Sequence, residues 1–241
     1  MSGKRGEYGV DAPYAPIGML VGALFALSGA VFGQQVWLYA VAALVALFAV
    51  LYLHTTRRGK FLVWDEVLDG LPIGGAERVL DLGCGRGAVL LNVARRLTTG
   101  RAVGVDLWRS VDQSGNAVRT TARNAVLEGV EDRVELHTGD LRELPFEDAG
   151  FDLVLSSLAI HNIKDAGGRA RAVEEAVRVL RPGGRLVIAD ISATGLYRRR
   201  LTELGMAEVR DRGLGWRMWW GGPWMPTRLV TATKPVSSGP A

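Results

Sequence analysis

A chain of 241 residues that is 48% hydrophobic and 22% charged has the composition of a globular protein, not of a disordered one. The formal net charge of +4 comes from scattered lysines and arginines, with small clusters at Arg57-Arg58-Gly-Lys60 and Arg198-Arg-Arg200, which argues against a nucleic-acid partner. One cysteine, Cys84, excludes an internal disulfide and a cysteine-based zinc site, so the folded part is expected in the cytoplasm.

After a polar start from Met1 to Asp11, two charge-free apolar runs follow, Ile17 to Phe32 and Val36 to Leu53, separated by Gly33-Gln34-Gln35. Each is about 17–18 residues long, the short end of what spans a hydrocarbon core of ~30 Å. The pair is predicted to form a helical hairpin within residues 1–55. Lys4 and Arg5 at one end and Arg57, Arg58 and Lys60 at the other orient both ends towards the cytoplasm. Gly18, Gly22, Ala26 and Ala30 recur every four residues as a small-residue stripe, and Trp37 and Tyr39 stand where an interfacial anchor belongs. A signal peptide, a hairpin buried in a dimer contact and a shallow, non-spanning insertion are the alternatives.

From residue 56 to 241 short apolar runs alternate with amphipathic stretches. The pattern predicts helices over 61–71, 88–96, 117–127 and 170–180, the last stopped by Pro182-Gly-Gly184. Strands are predicted over 78–82, 102–106, 134–137, 151–155 and 185–189, with two strand-like runs, 207–220 and 228–233, in the tail. Such alternation implies an α/β domain whose parallel sheet is covered on both faces. Ser237 to Ala241 reads as a frayed end.

The segment Val79-Leu-Asp-Leu-Gly-Cys-Gly-Arg-Gly87 is a strand running into a glycine turn and then a helix. Glycines there let the backbone turn sharply and a ligand approach its N–H groups. Gly83, Gly85 and Ala88 also satisfy a dinucleotide fingerprint, and Asp106, about twenty residues on, suits a ribose in either case. Asp81 and Asp140 separate the two. Three carboxylates around one ligand suit a cationic sulfonium amino acid and would repel a dianionic dinucleotide.

With Val79 to Gly87, Asp106, Gly139-Asp-Leu-Arg-Glu-Leu-Pro-Phe146 and Arg178-Val-Leu-Arg-Pro-Gly-Gly-Arg-Leu-Val187 in this order, the chain from about Lys60 to Pro235 resembles the class I S-adenosylmethionine-dependent methyltransferases. It is similar above all to the group of the ubiquinone and menaquinone C-methyltransferases. The resemblance implies a doubly wound, Rossmann-like sheet of seven strands in the order 3-2-1-4-5-7-6, the last antiparallel. It also implies S-adenosyl-L-methionine as cofactor, with Asp81, Gly83, Cys84 and Gly85 at its methionine part and Asp106 on the ribose. Asp140 then takes the adenine amino group, and Leu107, Trp108 and Leu141 flank the adenine. Ser156, at the end of the fourth strand, joins this set.

In that fold the end of the fourth strand lies under the reactive methyl group, which points to His161 and Asn162. An imidazole there could act as a general base or line the pocket. His54 and His137 make no metal triad with it, and no metal is expected. The tail concentrates four tryptophans and an arginine in Trp216-Arg-Met-Trp-Trp220-Gly-Gly-Pro-Trp224, and Trp216 and Trp220 are candidates for a hydrophobic acceptor pocket or a headgroup layer. The expectation is a methyltransferase at the cytoplasmic side of the cell membrane, acting on a quinone, isoprenoid or lipid-like acceptor. A soluble metabolite as acceptor, an inactive cofactor-binding subunit and a homo-oligomer stay open.

Overall fold

The computed structural model describes residues 6–109 and 113–236; Lys4, Arg5 and the tail beyond Val236 lie outside them. Two helices come first, α1 (Tyr14–Phe32) and α2 (Trp37–His54), turned back on each other at Gly33 to Val36. Their mutual contact is narrower than the small-residue stripe predicts. Pro16, Ala23 and Ala30 are the buried residues of α1, and Ala42, Ala49 and Tyr52 those of α2; the seven-residue spacing of 16, 23 and 30 and of 42 and 49 is that of a helix seam. Gly29 lies against Leu38, whereas Gly18 meets nothing and is not part of the contact.

α2 does not end at the predicted boundary. It continues through a π-helical turn, Thr55–Gly59, into α3 (Lys60–Asp69), so the boundary at residue 55 falls inside one continuous helix. The wider turn has a steric reason. Gly59 lies so close to the carbonyl of Arg217 that any Cβ would collide with it, and Thr55 Oγ1 donates to Trp219 O at 2.7 Å. Lys60, expected to mark the cytoplasmic end, is instead 4% exposed and bonded to Asp11.

The remaining chain alternates as predicted: β1 (Arg78–Leu82), α4 (Leu90–Ala94), β2 (Arg101–Asp106), α5 (Val118–Glu128), β3 (Val134–Thr138), β4 (Phe151–Ser157), α6 (Ala166–Val179), β5 (Leu180–Asp190), α7 (Thr194–Glu203), β6 (Ala207–Gly213) and β7 (Arg228–Thr233). The seven strands lie in the order β3-β2-β1-β4-β5-β7-β6, with β7 antiparallel to both β5 and β6. Helices on both faces bury the sheet, and Leu186 to Ala189 of β5 read as an unbroken apolar run because neither face meets water there. Burying Leu80 and Leu82 fully contributes about 1.5–3 kcal/mol each.

α6 starts four residues earlier than predicted, at Ala166, and three further elements differ from expectation. α4 is shorter than predicted because the glycine turn occupies its first residues. Pro182 to Gly184 lie within the trace of β5, where Leu180 already pairs with Phe151 and Gly183 donates to Lys234 O. The run 207–220 breaks after Gly213, and Trp216–Met218 form a 3₁₀ turn against the π turn.

Candidate active site

At the carboxyl ends of β1, β2 and β4 the strand order reverses, and a cavity of about 700 Å³ opens there. Its floor is the turn after β1. Gly83 (φ +72°), Gly85 (φ +50°) and Gly87 (φ +87°) hold left-handed backbone that side chains disfavour, and a Cβ on Gly83 would overlap Ala159.

The turn's amides are already committed. Gly83 and Cys84 donate to Val105 O, Gly85 to Asp106 Oδ2 at 2.9 Å, Arg86 to Gln113 Oε1 at 2.9 Å, and Gly87 to Cys84 O. The sequence expectation that these N–H groups face a ligand is therefore corrected. A pyrophosphate would find no free amide cradle, which removes the dinucleotide alternative.

The carboxylates remain. Asp81 is 1% exposed, and neither of its oxygens has a partner of good geometry among the described residues. Burial pushes its pKa up to about 7; the Leu90 amide offsets part of this and the nearby Asp106 adds to it. A buried carboxyl left without a partner on a cavity wall is the counterpart of a ligand cation. Asp106 is fixed by the Gly85 and Trp108 amides and by Asn116 Nδ2, which leaves lone pairs towards the cavity. Asp140 lines the cavity too, but the Arg142 guanidinium donates three hydrogen bonds to it and the Arg142 amide one, and that pairing keeps its pKa below the usual carboxylate range. Leu107, Leu141 and Cys84 reach the wall, and burial first of all raises the Cys84 thiol pKa well above its ordinary value, as for an inert core thiol.

Three predicted residues stand elsewhere. Trp108, itself at φ +57°, turns its indole away from the cavity, donates to Thr138 Oγ1 at 2.9 Å and packs on the core. Ser156 is fully buried behind the wall with its hydroxyl on Leu82 O, and its neighbour Ser157 faces the cavity. Trp216 is 53% exposed and stacks on His54 outside the cavity, whereas Trp220 is buried and lines it.

His161 lies in a 3₁₀ turn, Ile160–Asn162, just beyond β4, and lines the cavity together with Asn162. Its Nδ1 is 2.6 Å from Oδ1 of Asp190, close enough for a hydrogen bond although off the ideal line, and its backbone amide donates to Asp190 Oδ2 at 3.1 Å. Asp190 is wholly buried at the end of β5, where the Tyr197 hydroxyl and the Ile191 amide also donate to it. With Nδ1 against a carboxylate, Nε2 is left as the proton acceptor. Sequence reasoning stopped β5 one residue short and missed Asp190. It also missed Asp11, Lys60 and Gln113, which bring the N-terminal strap to the cavity: Gln113 Nε2 donates to Asp11 Oδ1, and Lys60 Nζ lies 2.6 Å from Asp11 Oδ2. An Asp–His pair at the ends of neighbouring strands, 29 residues apart in the chain, carries no spacing signal.

Fold, motif order and carboxylate placement define a class: the chain carries an S-adenosylmethionine-dependent methyltransferase domain. Residues 80–188 match the family model described as a methyltransferase domain. The chain is similar to the 27-O-demethylrifamycin SV methyltransferase of Amycolatopsis mediterranei, 36% identical over 155 residues, which are 63% of this chain and 51% of that protein. It is also 34% identical over 135 residues to a ubiquinone/menaquinone biosynthesis C-methyltransferase of Dinoroseobacter shibae, covering 56% and 50% of the two chains. The chain thus spans about half the length of the curated relatives it matches. Among solved structures, the geranyl diphosphate C-methyltransferase of Streptomyces coelicolor, in complex with Mg²⁺, geranyl diphosphate and S-adenosyl-L-homocysteine, superposes with a TM-score of 0.60 at 16% identity over 74% of this chain and 80% of that one. The [4+2]-cyclase SpnF gives 0.62 at 21% identity over 73% and 82%. These likenesses establish the sheet and its order, and the chemistry rests on the site.

Proposed function

We propose that the protein is a membrane-associated methyltransferase that methylates a hydroxyl on a hydrophobic acceptor, such as a quinol, isoprenoid or lipid-like molecule. The observation that carries the reaction is the His161–Asp190 pair on the wall of the cavity that holds Asp81 and Asp106. When bound, the cofactor supplies an activated methyl group on its sulfonium. Asp81 is placed to pair with the amino-acid ammonium and Asp106 to accept from ribose hydroxyls. The buried carboxylate of Asp190 holds the His161 ring, so Nε2 can take the acceptor proton as its oxygen is methylated. In-line positioning by the cavity walls supplies the rest.

The membrane half of the proposal is supported by α1 and α2. Tyr14–Phe32 has a mean hydropathy of 2.0 with only 17% of its residues buried, and long side chains such as Leu24 and Phe25 are exposed. Arg57 and Arg58 are exposed where the hairpin meets the domain, which favours its cytoplasmic side. Soluble relatives of the proposed substrates would make the hairpin a tether or a dimer contact instead. The test is incubation of the purified full-length protein, in nanodiscs, with methyl-labelled cofactor and a cell extract split into lipid and aqueous pools. Label in the lipid pool is expected, and label confined to the aqueous pool would overturn the hydrophobic acceptor.

A further inference from the structure

The cavity has a second half that the cofactor-binding carboxylates do not use. It runs from His161 towards the base of the hairpin, where Ala15 and Met19 of α1, Tyr52 of α2, and Trp220 and Met225 of the tail form its wall. Its polar atoms are spoken for: the Tyr52 hydroxyl donates to Asp11 O at 3.0 Å and the Trp220 indole to Thr227 Oγ1 at 3.0 Å. What faces the space is aromatic surface, a methyl group and two thioethers, an adaptable apolar lining.

This wall is also the joint between hairpin and domain. Gly221 (φ +91°) lies so close to α1 that a Cβ there would come within 2.7 Å of Met19 Cε. Phe48 of α2 meets Trp224 edge-on at 4.5 Å, and Tyr52 meets Trp220 at 5.2 Å. Around the joint, Leu20 and Val21 are exposed on α1, and Trp216 and Trp224 are exposed on the tail at 53% and 59%. Apolar helix surface bordered by half-exposed indoles and by Arg57 and Arg58 is the pattern of a headgroup layer.

We infer that the acceptor is a long-chain amphiphile taken sideways from the bilayer. Its hydroxyl head reaches His161, while its chain passes between Met19 and Met225 and leaves along the hairpin into the acyl region. A chain in this path trades one apolar environment for another, so the head can reach the reacting centre without the tail entering water. The inference rests on the membrane and methyltransferase readings above and adds the substrate's shape and route to them.

The test uses the full-length protein in nanodiscs of phosphatidylcholine and phosphatidylglycerol, with hexadecanol carrying a mid-chain diazirine as the probe. After photolysis the adducts are mapped by peptide sequencing. Adducts on Met19, Trp220 or Met225 are expected, and narrowing the path by Met19→Trp or Met225→Trp lowers them about tenfold. S-adenosylhomocysteine binding, measured on the same samples, is expected to stay unchanged and serves as the check that each variant is folded. Adducts found only on outward residues such as Leu24 and Phe25 would overturn the lateral path, as would unchanged labelling in both narrowed variants. Failure of the unmodified protein to bind S-adenosylhomocysteine, or its recovery free of the nanodiscs, overturns the underlying readings instead.

Discussion

Gln113 joins Asp11 to the glycine turn: its amide nitrogen donates to Asp11 Oδ1 at 2.9 Å, and its oxygen accepts from the Arg86 amide at 2.9 Å. Asp11 in turn takes Lys60 Nζ and the Thr56 hydroxyl, both at 2.6 Å, where α2 runs into α3. The hairpin and the floor of the cofactor cavity are therefore linked through two side chains. Gln113→Leu would leave the Arg86 amide and one Asp11 oxygen without partners, a cost of about 1–3 kcal/mol at such a site. Part of that cost is released by the turn losing its shape. The variant should bind S-adenosylhomocysteine about tenfold more weakly in calorimetry, and an affinity equal to the parent's would show that the strap and the turn are independent.

The buried pair Lys60–Asp11 invites a double-variant cycle. Lys60→Met alone leaves Asp11 with one charge fewer to balance it, and Asp11→Asn alone leaves Lys60 buried without its carboxylate. Each single change should cost about 3–5 kcal/mol because an uncompensated charge stays behind. The combined variant should recover most of that in thermal unfolding, and strictly additive losses would mean that the pair is not coupled.

Asp81 makes cofactor affinity pH-dependent. Its carboxyl titrates near 7 in the empty cavity, raised from its ordinary value mainly by burial, whereas pairing with an ammonium requires the anion. Binding should therefore release a proton, and affinity for S-adenosylhomocysteine should rise with pH through 7 and fall about tenfold for each unit below it. Stability runs the other way. Between the ordinary carboxyl pKa and about 7 the folded ligand-free state holds a proton that the unfolded chain has lost, so stability falls as pH rises through that window and levels off above it. Asp81→Asn should abolish both slopes while lowering affinity, and persistence of the binding slope in that variant would assign it to another group.

The central strands of the sheet were legible because they are buried on both faces and show as short, mainly apolar runs. β1 and β7 coincide with their predicted limits. What escaped was set by contacts distant in sequence. The π turn at Thr55–Gly59 exists because the Arg217 carbonyl, far along the chain, presses on Gly59. Trp108 leaves the cavity because Thr138 on the neighbouring strand takes its N–H. Asp190 is a polar residue at the end of an apolar strand, and only the register of β4 against β5, with Ser157 opposite Ala189, brings it under His161.

Gly59 offers a direct test of that long-range contact. Gly59→Ala must displace the Arg217 carbonyl, and with it the tail turn that donates Trp220 to the cavity wall. Forcing one carbon into a packed contact costs about 1–3 kcal/mol, which for a chain of this size lowers the melting temperature by about 2–4 °C per kcal/mol. An unchanged melting temperature would mean that the tail gives way freely at this point.

The His161–Asp190 pair separates a base from a wall residue. His161→Gln keeps size and a polar end but offers no basic nitrogen, so as a base its loss should lower kcat about 10²–10⁴-fold. Binding of S-adenosylhomocysteine should be unaffected, since among the described residues no hydrogen bond or ion pair joins His161 to Asp81, Asp106 or the glycine turn. Asp190→Asn keeps an acceptor oxygen for the Tyr197 hydroxyl but removes the anion beside His161 Nδ1. It should lower kcat in the same direction, because the ring loses the carboxylate that orients it. A wall residue would instead raise KM and leave kcat near the parent's. The split between kcat and KM in the two variants thus decides between proton transfer and packing at this position, whatever the identity of the acceptor.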